Sequence, residues 1–187
     1  MLTFNFTPFP VLETQRLCLR AIVKEDAENL FCLRSEKEVM KYINRPLPAS
    51  VDEIYTLIEK IQDGIKTNQA IAWAITLKAE PGKIIGTIGY HRINAEDHRG
   101  EIGYMLDKNY WRKGLVQEAM EKIIDYGFKE MKFHSMEGII NPANIASAKI
   151  LEKNNFVREA YFKENYHFNG EFLDSAIYSL LNPYKGK

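Results

Sequence analysis

Cysteine is scarce in this chain: Cys18 and Cys32 are the only two among 187 residues. Two thiols cannot build a disulfide scaffold, and there is neither a C-x-x-C pair nor a His/Cys spacing suited to zinc, so reduced thiols and no metal are expected. An excess of one charge is also missing. Lys plus Arg and Asp plus Glu number 25 each, so there is no global field for a polyanion. Nucleic acid is not expected as a partner, and any anion site has to be local. Long apolar runs are absent too: none approaches the roughly 18 residues of a membrane span. The first residues, MLTFNFTPFPVLE, lack a basic segment followed by an apolar stretch. These absences predict a soluble, cytoplasmic protein with no membrane partner. Repeats, low-complexity tracts and Pro/Gly/Ser-rich linkers are lacking as well, and 45% of the residues are hydrophobic. A single domain over 1–187 is expected.

What is present is a clear alternation of periodicities. Residues 13–22 (ETQRLCLRAI) alternate apolar and polar as a half-buried strand does. From 25 to 43 the apolar residues fall at helical spacing, in two short helices, before RPLPAS breaks the chain. Ser50 followed by Glu53 reads as a capping box opening a helix that carries Ile54, Leu57, Ile58 and Ile61. Three strand-like runs follow at 70–79, 83–93 and 100–108, with separators short enough for an antiparallel meander. A helix is expected over 115–131, a strand over 134–140 and a helix over 144–154 with Asn155 as its left-handed terminator. Strands near 157–168 and 171–181 are joined by Asn169-Gly170, a type I′ turn signal. Residues 100–140 read as β-α-β, hence a parallel pair with a right-handed crossover. The whole is a mixed α/β domain.

The junction LDKNYWRKGLVQEAM (106–120) runs from strand to helix through Arg112, Lys113 and Gly114. A helix start carries unpaired N–H groups and about half a positive charge, so it can hold an anion, and a glycine lets backbone approach that anion closely. The same residues also suit a tight turn with solvated basic side chains. No P-loop pattern and no G-x-G-x-x-G is present. Four histidines (His91, His98, His134, His167) are scattered without metal spacing and read as surface or strand residues.

In order along the chain, GEIGYMLDKNYWRKGLVQEAM, NPANIASAKILEKNNF and a closing hairpin with DSAIYSLL resemble the GNAT N-acetyltransferases, and within them the RimJ/RimL-type branch. The likeness runs from ETQRLCLR to the last strand. It implies one GNAT domain: a mixed, mostly antiparallel sheet with a central, splayed parallel strand pair flanked by helices. It implies acetyl-CoA as cosubstrate, no metal, and an amine acceptor that is a protein N-terminus or a small amine such as a polyamine. A non-catalytic acyl-CoA sensor and a homodimer are left open.

Residue by residue, the family's Gln/Arg-x-x-Gly-x-Gly/Ala junction falls on Trp111 to Val116, with Val116 where Gly or Ala is usual. The resemblance therefore gives the amides of Arg112, Lys113, Gly114, Leu115, Val116 and Gln117 to the pyrophosphate. Backbone near Met105 and Leu106 would face the thioester. Asn144 would bond the pantetheine arm, or simply cap its helix; Lys153 would reach the 3′-phosphate, or lie solvated. Glu101 is expected as general base, the alternative being a carboxylate that fixes its strand. Many members carry a tyrosine acid at the position of Leu151. Ser147 stands in as the expected proton donor, unless it is there only as a small packing residue. Strand alternation puts Glu101 beside Gly103, where a missing side chain leaves room for substrate or water. The acceptor groove is expected between the helices of 25–66 and the last hairpin, with Glu53, Glu59, Glu164 and Glu171 available to a cationic end.

Overall fold

A computed structural model describes residues 1–184; the last three positions of the domain read over 1–187 lie outside the described residues. Strands β1 (Leu12–Glu13), β2 (Leu17–Ala21), β3 (Ile71–Leu77), β4 (Glu80–Asn94), β5 (Arg99–Leu106), β6 (Ser135–Ile140), β7 (Val157–Phe168) and β8 (Glu171–Leu181) form one sheet. Its order is β1-β2-β3-β4-β5-β6-β8-β7. All neighbours are antiparallel except β5 and β6. Helices α1 (Ala27–Ser35), α2 (Lys37–Met40) and α3 (Val51–Lys66) precede β3, α4 (Leu115–Lys129) joins β5 to β6, and α5 (Ile145–Lys153) follows β6. Among the described residues no helix is long and apolar enough to cross a membrane.

The two faces of the sheet carry separate cores. On one, Leu30, Leu33, Ile54 and Ile58 from α1 and α3 meet Ala72 and Ala74, with Met105 of β5 packed alongside. On the other, Leu115, Ala119, Met120, Ile123 and Phe128 along one face of α4, and Ala148 and Leu151 of α5, meet Ile88, Tyr90, Ile102 and Leu106. Alternation along β5 therefore sends odd-numbered side chains toward α1 and α3 and even-numbered ones toward α4 and α5.

Several expected boundaries differ. The first strand divides into β1 and β2, which pair with each other through Leu12 and Leu19. Ser50 is the N-cap of α3, but its side chain makes no capping bond; Glu53 Oε2 instead accepts from the Ala49 amide at 3.2 Å, one residue further back than a capping box requires. Asn155 (φ 64°), Asn169 (φ 50°) and Gly170 (φ 84°) adopt the left-handed conformations expected of them. The aromatics of the last hairpin alternate along its strands and read as mostly packing residues, yet Tyr161, Phe162 and Tyr166 on the edge strand β7 and Phe172 on β8 beside the turn are all exposed. Asp174 has a local structural role. It accepts from the Tyr161 hydroxyl and from the Glu164 amide, across the register shift between Phe162 and Tyr166.

Helix α4 is seated on β4 by close approach. The Tyr90 hydroxyl donates to the Ile123 carbonyl at 2.6 Å, and a Cβ at Gly127 would lie 2.2 Å from that same hydroxyl. Gly127→Ala should therefore destabilise the fold by about 1–3 kcal/mol through overpacking, lowering the melting temperature by roughly 2–4 °C per kcal/mol. Thermal denaturation by circular dichroism checks this.

Candidate active site

The parallel pair β5–β6 holds register only over Arg99↔Ser135, Gly100↔Met136 and Glu101↔Glu137. Beyond Glu101 the strands part, so Gly103 to Leu106 pair with β4 alone. The Asp107 amide donates to the Ile85 carbonyl at 2.8 Å, which fixes the alternation of N–H directions. Met105 shares that β4-facing side, whereas Tyr104 and Leu106 turn their amides to the open edge; the Ile102 amide points the same way but completes the ladder at Glu137. Of the two amides expected at the thioester, Leu106 faces the gap and Met105 does not. The Leu106 carbonyl accepts from Trp111 Nε1 at 2.8 Å, which folds the strand end back toward α4.

At the start of α4, Gly114 is left-handed (φ 74°, ψ 7°), and Arg112 is also at positive φ (61°). The first helical bond runs from the Glu118 amide to the Gly114 carbonyl at 3.1 Å; the amides of 112 to 117 donate to nothing among the described residues. A carboxylate in this first turn would repel an anion, but Glu118 is neutralised. Its oxygens accept from Arg16 Nε (2.7 Å), the Arg16 amide (2.8 Å) and Thr14 Oγ1. Burial pushes the Glu118 carboxyl up, and these bonds together carry it below its usual value. The same Arg16 donates to the Lys113 carbonyl at 2.9 Å and places Nη2 3.5 Å from where a Gly114 Cβ would be. A guanidinium anchored in this way adds cationic charge at the helix start. Gln117 is tied by its side chain to Asn154 (3.0 and 3.1 Å) and Glu121 (2.8 Å), leaving its amide as the available group. That bond joins the start of α4 to the end of α5. Lys153 lies beside it, lining a cavity of about 280 Å3 with Glu121, Asp125 and Tyr184.

On α5, Asn144 caps the helix: its Oδ1 accepts from the Ser147 amide at 3.1 Å. Its side-chain N–H groups have no partner among the described residues, so capping and ligand binding are compatible. Leu151, at 1% exposure, is a core residue against Gly138. The phenol that α5 lacks comes from β5. Tyr104, which sequence reasoning passed over as one more apolar-face residue, has a buried hydroxyl without a hydrogen-bond partner among the described residues. Burial pushes its pKa up to about 12, and the approach of Ser147 offsets part of that. An aromatic with a polar tip on an otherwise aliphatic strand face was the available signal.

On the opposite face Glu101 sits at the fork of the two strands, 23% exposed and 3.6 Å from Arg92 Nη1. Its carboxyl is raised above its usual value, chiefly by burial and further by Glu137, against the pull of Arg92 and Arg45. Glu137 is itself held by Arg99 at 2.8 Å. The space expected beside Gly103 is filled. His91, the bulged residue in β4, lays its imidazole there, with Cδ2 2.3 Å from the position of a Cβ; a β-bulge re-aims a side chain in a way that period-two reading cannot foresee. Its outer edge is exposed, yet burial of the ring, then Arg34, then Arg45 lower its pKa.

A cavity of about 360 Å3 lies between residues 37–47 and the β7–β8 hairpin, with Asn141 at the end of β6. Of the four glutamates expected to draw a cationic acceptor, Glu171 alone lines it. Glu53 accepts from Ala49, Glu59 pairs with Lys24 at 3.7 Å, and the exposed Glu164 sits at the β7 irregularity.

A split parallel pair, a helix start with free amides and an orphaned buried hydroxyl beside the gap together fit an acyl-coenzyme A. The comparisons agree. Residues 16–157 match the model of the acetyltransferase (GNAT) domain. The chain is 36% identical over 170 residues to the uncharacterized N-acetyltransferase p20 of Bacillus licheniformis, covering 91% of this chain and 95% of that one. It is 31% identical over 175 residues to the uncharacterized N-acetyltransferase YoaA of Bacillus subtilis, covering 94% and 98%. The crystal structure of ribosomal-protein-S5-alanine acetyltransferase from Vibrio fischeri superposes with a TM-score of 0.83 at 27% identity, over 95% of this chain and all of that one. The chain belongs to the GNAT acetyltransferase family. It is an acetyl-CoA-dependent N-acetyltransferase.

Gly114→Asp adds a strained backbone position and a negative charge at the helix start. Acetyl-CoA affinity should fall by at least about 100-fold, some 2.8 kcal/mol, while the fold is retained at a modestly lower melting temperature. Isothermal titration calorimetry on the folded variant tests this, and wild-type affinity there would remove the cradle.

Proposed function

We propose that the protein acetylates a protein N-terminal α-amine by direct attack, with Glu101 as general base and Ser147, backed by Tyr104, as proton donor. The observation that carries this reading is the placement of Glu101: a half-buried carboxyl at the strand fork, on the face opposite α4 and α5, with its pKa raised. A base of that strength suits a weakly basic acceptor. At pH 7 neutralising an α-amine of pKa near 8 costs about 1.4 kcal/mol, against roughly 4.6 kcal/mol for a lysine near 10.4. The Vibrio fischeri relative, named for a ribosomal-protein alanine, lends support.

Acetyl-CoA supplies the activated acetyl thioester. The amides of 112 to 117 and Arg16 would hold its pyrophosphate, Asn144 its pantetheine arm, and the Leu106 amide would stabilise negative charge developing on the carbonyl oxygen. Glu101, ionised, takes the ammonium proton directly or through one water. Ser147 and Tyr104 face the leaving sulfur. With a pKa near 12, Tyr104 stays protonated at every working pH. It is a weaker acid than a thiol of pKa about 8.5, and a serine hydroxyl is weaker still, so Tyr104 serves as a hydrogen-bond donor to the thiolate while Ser147 relays a proton from water, taking one up as it gives one.

Glu101→Gln should lower turnover by about 100-fold, leave acetyl-CoA affinity intact and recover partly as pH rises and the free amine becomes abundant. In the native enzyme the ionised form of Glu101 is the active one. Its raised pKa therefore places the acidic limb of kcat/KM above the usual carboxylate range, and the variant loses that limb. Ser147→Ala and Tyr104→Phe should slow turnover without rescue at high pH. Wild-type rates in the Glu101 variant across pH would reduce that residue to a structural role. Peptides with a free N-terminus should be acetylated and blocked peptides with internal lysines should not; equal rates on both, or turnover confined to spermidine-like amines, would overturn the acceptor assignment.

A further inference from the structure

Arg16, Arg20, Arg92 and Arg99 each meet a carboxylate within 4 Å. Four arginines, Arg34, Arg45, Arg112 and Arg158, have no ion pair among the described residues, and two of these, Arg34 and Arg45, lie on the acceptor face. Arg45 Nη1 reaches only the Asn44 carbonyl and the Tyr166 hydroxyl, both at 3.3 Å. Arg34, half-buried near the end of α1, is lowered in pKa first by burial and then by Arg45. Positive charge thus accumulates on this face, with Glu101 the carboxylate that feels Arg45. In a chain with as many acids as bases, that imbalance is local.

The groove repeats the imbalance. Its wall carries Lys37, Lys41 and Arg45 against the single carboxylate of Glu171, with the side-chain amides of Asn44, Asn141 and Asn169 completing a donor-rich lining. Lys41 lies over the Tyr42 ring at 5.1 Å and neither it nor Lys37 has an ion pair among the described residues. Arg45 links this wall to the reaction, since its charge is felt by both Glu101 and His91. Tyr166, bonded also to the Asn44 carbonyl at 3.4 Å, closes the far side from the hairpin.

We infer that this groove binds a carboxylate carried close behind the reacting amine, so that the preferred acceptor is an N-terminus with an acidic side chain at its second or third residue. The inference rests on the α-amine reading above. Guanidinium and ammonium donors match a carboxylate's charge and geometry, and an arriving anion offsets the excess positive charge of Lys37, Lys41 and Arg45 along the groove. A polyamine would bring like charge to Lys37, Lys41 and Arg45, which selects against it. A phosphate presents the same chemistry, so the source of the anion is decided by experiment.

The test uses the full chain, acetyl-CoA and three hexapeptides with a free N-terminal alanine, followed by two aspartates, two asparagines or two lysines. Free glutamate and phosphoethanolamine serve as small anionic amines. The aspartate peptide should exceed the asparagine peptide at least about tenfold in kcat/KM, mainly through KM, and the advantage should shrink as salt rises. The lysine peptide should be the poorest. Arg45→Gln, checked for an unchanged melting temperature, should erase the gap between acidic and neutral peptides; Lys41→Gln should narrow it. Peptide turnover that ignores charge, or favours lysine, overturns the anion site and leaves the α-amine reading in place. Turnover of glutamate or phosphoethanolamine alone, sensitive to Arg45→Gln, keeps the anion site and removes the protein N-terminus. If no anionic amine reacts while neutral amines do, or if none reacts at all, the inference is wrong.

Discussion

The structure depends on a parallel strand pair that stops pairing after three residues. Strands β5 and β6 share hydrogen bonds around Arg99 to Glu101 and then diverge, which leaves the amides of Tyr104 and Leu106 and the carbonyl of Tyr104 on a free edge inside the molecule. Unpaired backbone in such a place needs a partner, and an extended amide-bearing chain can supply one as an added strand would. The wedge is kept open by what flanks it. Helix α4 is held to β4 through Tyr90 and to β2 through Arg16 and Glu118, while β6 is tied to β8 over its whole length.

From that fork the chemistry separates onto two faces. Toward α4 and α5 the protein offers mostly backbone: free amides, a left-handed glycine and a helix dipole, with the one nearby carboxylate neutralised by Arg16. Toward α1 and α3 it offers side-chain charge: Glu101 beside Arg92, then His91, Arg34 and Arg45. Preorganised amides suit a cosubstrate that is the same in every turnover. Long cationic side chains around a groove suit discrimination among acceptors, because their interactions differ most between a positive, neutral and negative neighbour.

Much of the frame was legible in the sequence. The order of elements, the Asn169-Gly170 turn and Asn155 as a left-handed terminator are all local properties, written in residues whose backbone preferences act within three or four positions. Glu101 on the face opposite Tyr104 followed from period two alone. Misreadings came where one residue breaks the period or a distant element intervenes. The bulge at His91 fills the space beside Gly103, Glu53 caps one residue too far back, and Tyr161, Phe162, Tyr166 and Phe172 alternate like packing residues yet are exposed.

By itself the sequence determined the class of fold and the location of the glycine turn that opens α4, since helix starts, turns and strand alternation are encoded by neighbours along the chain. Only the tertiary structure decided which amides face the gap, that Tyr104 brings a buried phenol beside Ser147, and that Arg34 and Arg45 lie on the acceptor face without an ion pair. Those facts depend on register and on contacts between residues many positions apart: β5 with β6, Tyr104 with Ser147, Arg45 with Glu101. Spacing along one chain carries no information about such distances until the sheet has formed.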